Sequence, residues 1–329
     1  MRARILGALL ATALIPAAGQ ADHSFILPSN TLFSGSNNMV TFDAAGSEHV
    51  FFFDHRPIGI DSIKIWKPDG SEAKPTATFA GRLRTAFDVR LDQPGTWRIA
   101  STQSNVSGTL KLNGEERRVG GRGGPPPGAG GPGGPGGPGG PGGPGGAQGR
   151  PGAGGLPGGP PGGEGGPGGP GGPGGPGGAG GPRRLPPIAL AEIPPEATDV
   201  KLTESINTVE TFVTQGEPSA LKPAGKALEL DPITHPNEAA SGETSRLRYL
   251  IDGKPAAGVK ITVIPGGDRY REDTGTMELT TGVDGVVSIK WPMAGMFWVG
   301  AAAEDMHPSE PRAQKRRMST AATIEVATP

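Results

Sequence analysis

The sequence predicts an all-β protein: two immunoglobulin-like β-sandwich domains with a disordered Gly/Pro-rich insertion. Three observations predict it. Short β-branched or aromatic runs recur on both sides of the middle of the chain, each closed by Gly, Pro, Asn or Asp turn signals. No long segment holds a 3.6-residue apolar period, so helix content should be low. From Val119 to Arg184 the chain is almost entirely Gly and Pro, which supply no side chains for a core.

In chain order, Met1–Ala21 reads as a secretory signal. Met1-Arg2-Ala3-Arg4 is a basic start, Ile5 to Ala18 an apolar run shorter than a membrane span, and Gly19-Gln20-Ala21 a small-x-small cleavage site. The first sandwich is expected over residues 22–118 plus 185–222. Its strands are Asn38–Asp43, His49–Asp54, Ile60–Trp66, Thr85–Leu91 and Thr96–Ala100, with turns at Asp43–Gly46, Lys67–Gly70 and Asp92–Gly95. Thr203–Thr214 alternates and is read as the strand that completes this domain, so the tract at 119–184 is a loop inserted within it; a linker between two finished domains is the alternative.

In the tract, glycine occupies every third position from Gly128 to Gly158, and again from Gly162 to Gly180 after Pro161 shifts the frame by one. A collagen helix requires that period. Most triplets read Gly-Gly-Pro, however, so a second glycine takes a position that imino acids normally stiffen, and the slip breaks the register. A flexible insertion spanning roughly 45 Å follows from Gly-rich chain scaling. The second sandwich is expected over residues 223–329, with strands at Leu228–Leu230, Arg246–Ile251, Val259–Ile264, Val286–Trp291, Gly295–Ala302 and Thr320–Val326. Val259, Ile261 and Val263 should point to one side.

Composition narrows the function. Cysteine is absent, which removes disulfides and thiolate sites. With 31 basic and 32 acidic residues and no basic stripe, nucleic acid is not an expected partner. Past residue 21 no apolar run is long enough to span a bilayer. Periplasm or cell surface is the expected location. No His-Glu-x-x-His, no Gly-x-Ser-x-Gly and no thiol nucleophile is present, so an enzyme is not expected.

Cleavage after Ala21 leaves Asp22-His23-Ser24-Phe25 as the mature start. A histidine at the second position offers its ring nitrogen, its backbone nitrogen and the terminal amine to one ion, a nitrogen set suited to Ni(II) or Cu(II). The competing reading is a histidine left there by chance. Four other histidines are candidates for a further ligand. His49 and His55, on one face of a single strand, would stand roughly 20 Å apart. Glu48 and Asp54 are their acidic neighbours. His55, before Arg56-Pro57, is favoured because a loop there reaches the amino terminus. The candidate site is therefore Asp22, His23 and His55. His235 and His307 each precede a proline and read as loop residues. Met306 beside His307, with Met293 and Met296, hints at Cu(I), but methionines around Trp291 and Trp298 are more often core filling. Asp268, Glu272 and Asp273 lack calcium-loop spacing and read as a solvated turn.

Several landmarks in order resemble the DUF4198 family of exported bacterial proteins, which is related to the NikM-type periplasmic component of nickel and cobalt uptake systems. They are His23-Ser24-Phe25-Ile26-Leu27-Pro28-Ser29, Lys67-Pro68-Asp69-Gly70, Pro94-Gly95-Thr96-Trp97, Thr203-Glu204-Ser205 with Glu210-Thr211-Phe212-Val213, Leu228-Glu229-Leu230-Asp231-Pro232, Asp252-Gly253-Lys254-Pro255 and Thr281-Gly282-Val283-Asp284-Gly285. Gly282 departs from the family's usual Asp, and the Gly/Pro tract is an addition. The resemblance implies a metal-related role, with Ni(II), Co(II) or Cu(II) as candidate ions, His23 as the ligand that can be carried over, and a membrane system for Ni, Co, Cu or Fe uptake as partner. A structural or adhesive surface protein, binding protein or glycan through its sandwiches, is the alternative.

Overall fold

The computed structural model describes residues 23–120 and 185–329. The expected signal segment, Asp22 and the Gly/Pro tract beyond Gly120 lie outside the described residues. Chain contacts define one unit of residues 1–121 and 188–329, to which the following refers, and a second of residues 122–187.

The strands before the tract are β1 (His23–Pro28), β2 (Leu32–Phe33), β3 (Asn38–Ser47), β4 (Arg56–Pro57), β5 (Ile63–Trp66), β6 (Glu72–Ala73), β7 (Ala77–Ala80), β8 (Thr85–Leu91), β9 (Gly95–Leu112) and β10 (Glu115–Gly120). Those after it are β11 (Thr198–Gln215), β12 (Leu228–Pro232), β13 (Thr244–Ile251), β14 (Lys254–Pro255), β15 (Lys260–Pro265), β16 (Met277–Thr280), β17 (Val286–Lys290), β18 (Gly295–Asp305) and β19 (Lys315–Val326). Helix among the described residues is limited to three-residue 3-10 turns, so the protein is all-β as the sequence predicts.

Three sheets carry the fold. The order β1-β3-β8-β7, with β4 beside β3, forms the first; β12-β13-β14, with β17 on β13, forms the last. Between them a ten-stranded sheet runs β16-β15-β18-β19-β11-β9-β5-β6, with β10 and β2 off that path. Its continuity comes from β11, which pairs antiparallel with β9 on one edge and parallel with β19 on the other. The large sheet thus backs two cores. Ile26, Phe42, Phe87 and Leu91 of the first sheet pack on Ile65, Trp97, Ile99 and Val213 of the large one. Leu230, Leu247, Tyr249 and Ile289 of the last sheet pack on Ile261, Phe297, Ile324 and Phe212. The period-2 pattern decides which side chains meet: Val259, Ile261 and Val263 are all buried, facing the second core.

At the base of the tract, β10 continues through Gly120 and its Val119 bridges to Ile188. Leu110, Val119, Leu202 and Ala313 form a small third core there.

Two local expectations are corrected. Asp43–Gly46 is not a turn but the interior of β3, where Ala44 and Ala45 face Ile26 and Phe25 of β1 in the ladder. Pairing on both edges overrides the weak strand preference of Ala and Gly. His49–Asp54 is not a strand: β3 ends at Ser47, and residues 48–55 form a loop in which Phe51 takes a left-handed φ of 65°. That conformation is a genuine outlier for a bulky side chain and turns the chain back on itself.

Candidate metal centre at the amino-terminal strand

His23 opens β1, opposite Ser47 at the end of β3. Arg56 of β4 is opposite Gly46 on the other edge of the same strand. The pleat therefore sets Ser24, Gly46 and Arg56 on one face, and His23 and Ser47 on the other. An ideal Cβ on Gly46 would meet Ser24 Oγ at 3.4 Å and Arg56 Nε at 3.5 Å, which shows those two side chains gathered over the glycine.

The loop 48–55 caps the face that carries His23. Phe25, fully buried, receives Phe51 edge-on at 5.3 Å and Phe53 at 5.9 Å. Arg84 lies over the Phe53 ring at 4.7 Å and pairs with Asp43 at 3.2 Å. The Glu48 amide donates to Asp54 Oδ1 at 3.2 Å, closing the loop on itself. Both His49 and His55 ride on this capped loop, His55 exposed in the turn before β4.

His23 itself is held in place. Its Nδ1 lies 3.0 Å from the Glu48 carbonyl oxygen, which only accepts, so the proton of that hydrogen bond sits on Nδ1 and the lone pair on Nε2. The Trp298 ring meets the imidazole edge-on at 4.8 Å, and its indole Nε1 donates to the Ser24 carbonyl at 3.0 Å. Trp298 can lie there because its ring covers Gly300, where a Cβ would stand 2.0 Å from the indole Cη2.

His49, the histidine not favoured by the sequence, has the better-defined partner. Its Nδ1 is 3.1 Å from Asp268 Oδ2, with the carboxylate 8% and the imidazole 35% exposed. Asp268 Oδ1 is buried without a hydrogen-bond partner among the described residues. The Gly266–Gly267–Asp268 turn is shaped to receive the loop: a Cβ on Gly266 would come 3.0 Å from Phe51 Cδ2, and Gly267 has φ 79°. Arg271 stiffens the turn by donating to the carbonyls of Pro265, Gly266 and Gly267. A carboxylate that orients an imidazole through Nδ1 is the usual support of a histidine ligand. The sequence hid this pair because Asp268 is 219 positions from His49 and read as a solvated acid.

The other histidines are placed elsewhere. His235 bonds Thr96 Oγ1 at 3.0 Å through Nε2 and accepts the Asn237 amide at 3.2 Å, and burial pushes its pKa down. His307 is exposed beyond β18. Among the described residues no three His, Asp or Glu side chains converge as a ligand set. Asp22 lies outside the described residues. No helix among the described residues is long and apolar enough to cross a membrane.

The chain belongs to the DUF4198 family, a domain of unknown function, whose profile matches residues 19–305. No curated protein matches the sequence. Among solved structures it is similar to Escherichia coli alpha-2-macroglobulin activated by porcine elastase, with 9% identity and a TM-score of 0.18. That match covers 93% of this chain and 31% of the other, so the chain spans about a third of that protein's length.

Proposed function

We propose that this member of the DUF4198 family is an exported metal-binding protein of the periplasm or cell surface. It holds one Ni(II), Co(II) or Cu(II) ion at its mature amino terminus, through Asp22, His23 and His55, and serves a membrane system for transition-metal uptake. The observation that carries the reading is the shared face of His23 and the loop 48–55. The first histidine of the mature chain and the loop bearing two more sit at the same end of β3.

The chemistry is nitrogen chelation. The Asp22 amine, the His23 amide nitrogen and the His23 ring together suit Ni(II) and Cu(II). Closing a chelate between the His23 amide and its own ring uses Nδ1, the atom now held by the Glu48 carbonyl. Metal binding therefore exchanges one hydrogen bond, a net cost of about 0.5–1.5 kcal/mol, for coordination. Protons compete for the amine and the imidazole, so affinity falls with acid.

Calorimetry on protein processed to begin at Asp22 tests this. One Cu(II) or Ni(II) should bind per chain; His23→Ala, or one residue added before Asp22, should abolish binding. His55→Ala should weaken it, and His307→Ala should leave it unchanged. Equal uptake by the wild type and His23→Ala would overturn the reading and favour a surface adhesive role.

A further inference from the structure

The large sheet has a second polar feature, on its opposite side from the first core. On that side of β5 and β9, a cleft of about 290 Å³ opens between Trp66, Arg98 and the segment Ala220–Ala224 that leads into β12. Trp66 and Arg98 are ladder partners, so the pleat presents both to the same face, and the guanidinium lies over the indole at 5.3 Å. Leu221 and Pro68 supply apolar walls, and Lys222 stands at the rim.

The polar groups around the cleft are unequally satisfied. Lys67 is paired with Asp92 at 2.7 Å, and Asp69 accepts from Ser71 and Gln93. Glu229 is occupied by the Ala224 and Gly225 amides at 2.6 and 2.8 Å, and burial pushes its pKa up. Arg98 donates only through Nε, to the buried Glu210 Oε2 at 2.6 Å. Its two terminal amino groups have no acceptor among the described residues. Lys222 has no ion-pair partner among them either. Behind Arg98, Glu210 Oε1 and the Tyr249 hydroxyl are buried without partners. What the cleft lacks is therefore an acceptor for a planar cationic fork, next to an aromatic and aliphatic wall.

We propose that this cleft is a binding site for a small organic carboxylate. Glu210, bonded at Nε, fixes the plane of the Arg98 guanidinium, and the open amino groups match the two oxygens of a carboxylate in a bidentate pair. Trp66, Pro68 and Leu221 pack the carbon skeleton of the ligand, and Lys222 adds a second cation at the mouth. The volume, at the low end for ligand pockets, has room for a ligand about the size of a monosaccharide acid. The site is separate from the amino-terminal centre and does not depend on it.

The test is titration of the full chain with glucuronate, using glucose and inorganic phosphate as probes of shape alone and charge alone, respectively. Glucuronate should bind and change tryptophan emission, and both controls should bind at least tenfold more weakly. Arg98→Ala would strand the buried Glu210, so the informative variant is Arg98→Met with Glu210→Met, which replaces the pair by apolar side chains of similar volume. It should lose glucuronate binding while keeping its strand circular dichroism. Lys222→Ala, an exposed change, should weaken binding severalfold. No binding of glucuronate at millimolar concentration, equal binding of glucose or of phosphate, or full binding by the double variant would each overturn the proposal.

Discussion

Replacing Arg316 with Met should destabilise the protein by about 2–3 kcal/mol near neutral pH and by much less in acid. Arg316, on β19, is 5% exposed. Its guanidinium donates to Asp305 at 3.1 and 2.6 Å and to Asp252 at 3.2 and 2.7 Å. Asp252 sits in the turn between β13 and β14 and also accepts the Ala227 amide at 2.8 Å. One side chain thus fastens the last sheet to the large one. Removing one partner of a buried pair costs about 3–5 kcal/mol. Asp252 is 47% exposed against 19% for Asp305, so solvent screens half of the arrangement and the lower figure of about 2–3 kcal/mol applies.

The pH dependence of this effect follows from the two carboxyls. Hydrogen bonds from Arg316 are the main cause holding both below the usual aspartate value, with a smaller attraction from His307. A group whose folded pKa is depressed contributes its stability fully above the unfolded value, and loses it as pH falls through the folded one. The gap between wild type and variant should therefore narrow below about pH 4. Urea denaturation at about pH 7 and pH 3, followed by circular dichroism, measures it; at neutral pH the melting point should drop by about 4–12 °C. A deficit under about 0.5 kcal/mol at neutral pH, the scale of an exposed pair, would refute the reasoning. So would a deficit of the same size at both pH values.

Two further outcomes are expected beyond the metal and carboxylate titrations. Gly300→Ala puts a methyl 2.0 Å from the Trp298 ring, so the indole must leave Ser24 and His23; tryptophan emission should shift red, with a loss of about 1–3 kcal/mol, and unchanged emission would show that the contact is not held. Deleting residues 121–184 should leave the melting temperature within about 2 °C, because that stretch carries almost no apolar side chains, and a larger fall would mean that it is packed structure.

How far the sequence could be read depended on how local each signal was. The alternation of Val259, Ile261 and Val263 named a strand and its buried face without any partner in view. The run Phe51-Phe52-Phe53 misled, because aromatic density usually marks a strand. Here Phe51 packs on Phe25 and Gly266, Phe52 contacts His49 and Tyr270, and Phe53 packs beneath Arg84, five contacts that require a loop. Of the candidate residues, His23 stood out by its place behind the cleavage motif, and the structure sets it at the start of β1 against Glu48 and Trp298. The contact of His49 with Asp268 was not legible, because that carboxylate comes from a turn 219 positions away.

By itself the sequence determined the all-β class, most strand positions, the absence of cysteine and the scarcity of apolar side chains in the Gly/Pro tract. Each rests on composition or on a period of two, which a residue shares with its immediate neighbours. Only the tertiary structure decided that β11 joins both halves into one sheet by pairing in parallel with β19. It also decided that Asp268 reaches His49 and that Trp66 and Arg98 open on a cleft beside Leu221. Those contacts join residues one hundred or more positions apart, and a strand's own sequence fixes which face it buries but not which distant strand it pairs with.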